Sequence, residues 1–187
     1  MSEIKTDRWY DRTGTPQNNI LQVQHTLYTQ NYMSMNGGGY EPIPGFHCDI
    51  TPRSRDSKII VIASLAIGWE TTPEWSWFVD RTIGGSDPHP FRSPVVGAQS
   101  LRWNSNRMWG YHGGPRDGGS NNFTLEVESY YNTLEDSPGT TELVRYQVCL
   151  MDRWSTRDKY INRSGADNDT GYLTRGSSSL TLMEVAQ

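Results

Sequence analysis

The chain has 187 residues, enough for one well-buried core and short for two. Hydrophobic residues make up only 34%, but 7 Trp and 10 Tyr supply much burial per residue and exclude a disordered chain, while 18 Gly and 10 Pro mark frequent turns. A net charge of −4 argues against a field that would attract nucleic acid, and the longest apolar run, Ile59 to Ile67, is too short to cross a bilayer as a helix.

Residues 1–19 read as an extended N-terminal arm rather than as core. They are charged, with no apolar stretch of the kind a secretory signal needs, so folding in a cytoplasm is expected. Ile4, Trp9 and Tyr10 are the arm's large apolar groups; aromatics on such an arm suit contact with a neighbouring subunit, or equally a frayed tail with Trp9 tucked against its own domain. From Ile20 the pattern turns to period two, with Leu21, Val23, His25 and Leu27 on one face of a strand ending at Tyr28. Residues 31–45, which include the Gly37–Gly39 run, read as a long loop. Phe46, Cys48 and Ile50 then alternate with His47 and Asp49 up to the strand-ending Thr51-Pro52.

Ile59 to Ile67 has β-branched residues on both faces and predicts a central strand. Trp75, Trp77 and Val79 alternate with Ser76, Phe78 and Asp80 in the next. Residues 82–94 read as loop, Val95 to Trp103 as a weaker strand, and Arg107 to Gly119 as loop. Phe123, Leu125 and Val127 alternate with Thr124, Glu126 and Glu128, and the strand runs on to Tyr131. Asp136-Ser-Pro-Gly139 carries turn chemistry. Val144, Tyr146, Val148 and Leu150 share a face; a short strand follows at Tyr160 to Asn162, and a last one at Ser178 to Val185. No segment shows a capped 3.6-residue stripe. The expected fold is all-β: a two-sheet antiparallel β-sandwich, jelly-roll-like, spanning residues 20–187 behind the arm.

Chemistry is sparse. The four histidines form no metal-binding pair, and Cys48 and Cys149 have no ligand spacing and read as free buried thiols. The Asp167-Asn-Asp169 loop offers oxygen ligands for a calcium ion but reads better as a solvated turn. Glu126 and Glu128 share one strand face near Tyr130 and Tyr131, and Trp69, Trp75 and Trp77 offer rings on which sugars stack; ordinary strand surface and core aromatics account for both. No nucleophile elbow, P-loop or dinucleotide fingerprint occurs, so neither a catalytic residue, a cofactor nor a metal is expected. The aromatics picked out as an interface are Trp9, Tyr10, Trp69, Trp75, Trp103 and Trp109.

Four ordered segments carry a resemblance. They are Gly14-Thr-Pro16 with Ile20 to Val23, Ile50-Thr-Pro52 with Ser57 to Val61, Leu134 to Thr140 with Tyr146 to Val148, and Asn162 to Ser164 with Ser179 to Glu184. In this order the chain resembles a module of tailed-phage virion proteins, of marine and cyanobacterial type, found in decoration and head or tail fibre proteins. The resemblance implies a non-enzymatic homotrimer on the virion's outer surface, most simply a capsid decoration or cement protein contacting the major capsid protein or other virion proteins. A tail fibre or receptor-binding tip that adheres to host glycans is the alternative. The chain departs from the module in its loops, at Gly37–Gly39 and in the aromatic-rich stretches Trp69–Phe78 and Trp103–Tyr111.

Overall fold

A computed structural model describes residues 20–34, 39–69, 75–84, 111–112, 127–152, 159–165 and 175–187. Among them are ten strands and no helix: β1 (Ile20–Tyr28), β2 (Tyr32–Ser34), β3 (Gly39–Ile50), β4 (Lys58–Trp69), β5 (Trp75–Ile83), β6 (Tyr111–His112), β7 (Glu128–Asp136), β8 (Val144–Asp152), β9 (Lys159–Ile161) and β10 (Ser178–Val185). All pairings are antiparallel, and they make two sheets. The arm expected over residues 1–19 lies outside the described residues.

The first sheet is built on β4. One edge of β4 pairs with β7 from Ile59 to Ile67. The other edge takes β10 and then β9, one after the other along the strand. Ala66 marks the hand-over: its N–H donates to Ser178 Oγ at 3.0 Å, and its carbonyl accepts the Asn162 N–H at 2.8 Å. Both backbone groups of a strand residue point to the same side, so Ser178 and Asn162 lie on one edge. β1 pairs with β10 and β2 with β9, so the sheet reads as four columns: β1 with β2, β10 with β9, β4, and β7. The second sheet runs β3-β8-β5-β6.

One apolar cluster joins the sheets. The inward residues of β4 (Ile59, Val61, Ala63, Leu65, Ile67) and of β10 (Leu180, Leu182) meet Trp77 and Val79 of β5 and the Val144, Tyr146, Val148, Leu150 face of β8. That β8 face and the alternation of β10 are as the sequence predicts. Period-two placement of large and branched side chains against a facing sheet is what makes these segments strands.

Three expectations change, the first being that β6 lies within the stretch 107–119 read as loop. The stretch 31–45 is not a loop throughout: β2 lies within it, and β3 begins at Gly39. The β3–β8 ladder jumps from Pro42↔Cys149 to His47↔Gln147, leaving residues 43–46 as an inserted bulge. Gln147 Nε2 donates to the Ile43 and Phe46 carbonyls at 2.7 and 3.0 Å, and Gly45 takes a φ of +75°. A bulge lets Gly- and Pro-rich sequence stay in a ladder, because the extra residues are closed off by a side chain instead of a partner strand. The strand expected to start at Phe123 is described from Glu128 and runs on to Asp136, whose carboxylate is buried.

Asp136 ties the sheets together across the core. Arg81 of β5 donates through Nη1 to its two oxygens at 2.7 and 2.8 Å, and the Tyr146 hydroxyl donates to Oδ2 at 2.8 Å. Burial, with the carboxylate alongside, pushes the Tyr146 phenol above its ordinary range.

Glu184 of β10 anchors the corner between β3 and β4. Its carboxylate accepts from Gln22 Nε2 and from the Arg53 N–H, both at 2.6 Å. Burial alone raises its pKa, but hydrogen bonds from Gln22 and the neighbouring backbone, Arg53 N–H among them, outweigh it and leave the group below the ordinary glutamate range. A carboxyl held low in the folded chain stabilises it above the unfolded pKa, and that contribution is lost as pH falls through the lower, folded value. Glu184→Gln is therefore expected to cost about 1–3 kcal/mol at pH 7, shrinking towards pH 3. Urea unfolding at the two pH values measures this, and an equal cost at both rules out the charge as the cause.

Candidate interaction face

β1 is amphipathic in the opposite sense to an ordinary edge strand. The face that its apolar residues share points outward: Val23 and Leu27 are 51% and 59% exposed. Tyr28 is buried beneath the strand and stacks on Phe46, with ring centroids 4.7 Å apart. The polar Gln22 and Thr26 point inward because of what they meet there. β3 is the edge strand of the second sheet, and its outer carbonyls need donors. Gln22 Nε2 donates to the Thr51 carbonyl at 2.7 Å, and Thr26 Oγ1 to the His47 carbonyl at 2.8 Å. With those two residues turned in, period two turns Val23 and Leu27 out.

The register extends this outward face across four strands. Val23 lies beside Met183, Met183 beside Ile60, and Ile60 beside Glu135. The next row is His25, Thr181, Ile62 and Thr133; the third is Leu27, Ser179, Ser64 and Tyr131. Leu180, Leu182, Val61 and Ala63 fill the core, so the residues between them point away from it. Tyr131 is 83% exposed, whereas Ile60, Ile62 and Met183 are half-buried among their neighbours. Ile20, where β1 starts, adds a further exposed aliphatic group beside Val185.

Polar groups on the face pair locally. His25 Nδ1 lies 2.8 Å from Thr181 Oγ1, and Lys58 forms an ion pair with Glu135 at the rim. Exposed pairs of that kind contribute roughly 0–1 kcal/mol, so this one keeps the rim neutral more than it stabilises the fold. The second sheet is different. Phe78, Asp80, Thr82, Gln147 and Cys149 alternate with its core residues and thus point outward, yet all are buried. The second sheet buries much of its outer side, with Asp49 and Arg145 half-exposed there, and the first leaves aliphatic side chains in water.

Of the aromatics expected to form an interface, Trp69 and Trp75 fall in described strands. Trp69 ends β4 opposite Lys159, and Trp75 opens β5 opposite Asp152. Trp9, Tyr10, Trp103 and Trp109 lie outside the described residues, as do Glu126 and the Asp167–Asp169 loop. Cys48 and Cys149 are free and buried as expected. Cys48 faces the core and Cys149 the opposite side of the sheet, a geometry no disulfide spans. Burial pushes the Cys48 thiol up, away from the reactive thiolate. Among the described residues no group of three or more His, Cys, Asp or Glu side chains is placed to hold a metal ion.

Sequence reasoning missed the aliphatic face because it looked for rings. Its signal was present in the branched residues on both sides of Ile59 to Ile67: a strand with one core-facing side has its remaining aliphatics outside. No protein-family model matches the chain, and no curated protein matches it.

Proposed function

We propose that the chain is a non-enzymatic structural protein of a bacteriophage virion: a homotrimeric capsid decoration or cement protein on the outer surface of the particle. The observation that carries this reading is the aliphatic outer face of the first sheet, where Val23, Leu27 and Tyr131 stand exposed. A surface of that kind marks a site of association rather than of catalysis. The ordered motifs that resemble the tailed-phage module supply the virion, and the reading rests on them for that part.

We further propose a jelly-roll β-sandwich. The strand columns support it: β1-β10-β4-β7 in one sheet and β3-β8-β5-β6 in the other, with the chain crossing repeatedly between sheets. Two buried carboxylates, Asp136 and Glu184, are engaged in joining strands and corners, which also fits a scaffold.

Imaging of intact particles tests the function. Density for this chain at three-fold positions on the head is the expected result. Density confined to the tail replaces decoration with the fibre or receptor-binding reading, for which binding to host glycan is the follow-up. Absence of the chain from purified virions overturns both.

A further inference from the structure

We infer that the outward face of the first sheet is where a second copy of this chain docks, with Val23 and Leu27 of β1 and Tyr131 of β7 at its two sides. This rests on the reading of the chain as an assembling structural protein and names the surface that assembles. Three observations select another copy as the occupant. The chain carries −4 overall, yet Lys58 and Glu135 cancel on this face, so a like-charged copy meets no repulsion there. Among the described residues this face presents no cluster of cations for a nucleic acid or an anionic lipid surface.

Its size also fits. Four strands about 4.8 Å apart and seven residues rising about 3.3 Å each give a flat footprint of roughly 440 Å². Counted on both partners and with side-chain relief added, that reaches the roughly 1,000 Å² at which a specific contact begins. The contact is thus small, and assembly through it depends on concentration. Three copies around an axis need a heterologous contact, in which this face on one copy meets a different surface on the next.

Solution mass as a function of concentration tests it, using the full chain. The wild type is expected to pass from monomer to oligomer by about 100 μM, well above the micromolar constants of weak contacts. Val23→Asp with Leu27→Asp, and separately Tyr131→Lys on the far strand, are each expected to weaken association by about tenfold or more. Their melting temperatures are expected to stay within a few degrees of wild type, because the positions are exposed. If one variant unfolds, the other still reports. Wild-type mass retained by a folded variant overturns the inference, as does a wild type that stays monomeric throughout. A monomer that binds purified capsids also overturns it, while leaving the virion role standing. Absence from virions with self-association intact does the reverse.

Discussion

Asp136→Asn is expected to destabilise the fold by about 3–5 kcal/mol, the largest loss from any single polar substitution here. The Asp136 side chain is fully buried and that of Arg81 is 15% exposed, so the charge left on Arg81 has little water to turn to. An asparagine can accept from Arg81 or from the Tyr146 hydroxyl, but it does not neutralise the guanidinium. The pair also joins β7 of the first sheet to β5 and β8 of the second, and its loss loosens the packing between layers. The double replacement Arg81→Met with Asp136→Leu separates the two contributions. Removing both charges together is expected to restore most of the lost stability, since apolar groups of similar volume commonly replace a buried ion pair without net cost. Urea midpoints for the two single variants and the double complete the cycle. A loss below about 1 kcal/mol for Asp136→Asn would show that the ion pair does not bridge the sheets as described.

Asn162 carries the second large effect. It is fully buried with a φ of +64°, and every polar atom it has is used. Nδ2 donates to the Tyr28 and Gln30 carbonyls at 2.7 and 3.0 Å, and Oδ1 accepts the Ser178 hydroxyl at 2.6 Å. Its own N–H goes to Ala66, and its carbonyl accepts the Gly176 N–H. The side chain therefore fills the place where β1 gives way to β2 and β10 to β9, supplying in one residue the hydrogen bonds that a continuous ladder would have made. Asn162→Ala is expected to cost about 3–4 kcal/mol, from stranded carbonyls and from a left-handed backbone that alanine tolerates poorly. Asn162→Gly relieves only the backbone part, so it is expected to recover about 1 kcal/mol of that loss. Equilibrium unfolding of the two variants checks the order, and a glycine variant as stable as wild type would mean that the side-chain bonds contribute nothing.

These two residues show what the sequence conceals. Asp136 fits the first position of an Asp-Ser-Pro-Gly turn, and Gly139 does take a positive φ of +67° there. Nothing local reveals that Arg81, 55 positions away, lies against it. Period two is legible wherever one side of a strand meets a side-chain core, as in β8 and β10. It identifies two faces, however, and not which of them turns inward. For β1 the answer depends on the unpaired carbonyls of β3, a backbone feature with no sequence signature. Gly and Pro around residue 45 suggested a loop because composition does not distinguish a connection between strands from a bulge within one. The exposed aliphatic face is hard to read from sequence because it draws one or two residues from each of several strands distant in the chain.

The place of β10 bears on how the chain is made. It lies between β1 and β4, although it follows the other nine described strands in sequence. Until Ser178 to Val185 leave the ribosome, β1 has no partner in the ladder and the columns on either side of β10 cannot close. The partners Thr26 and Leu180 are more than 150 residues apart, so this closure is a slow, non-local step. A nascent chain halted before Ser178 exposes two unpaired strand edges as well as the aliphatic rows on β1 and β4. Closure of the first sheet is in effect postponed until β10 is made, and copies cut short before it are left as aggregation-prone fragments rather than as smaller folded subunits.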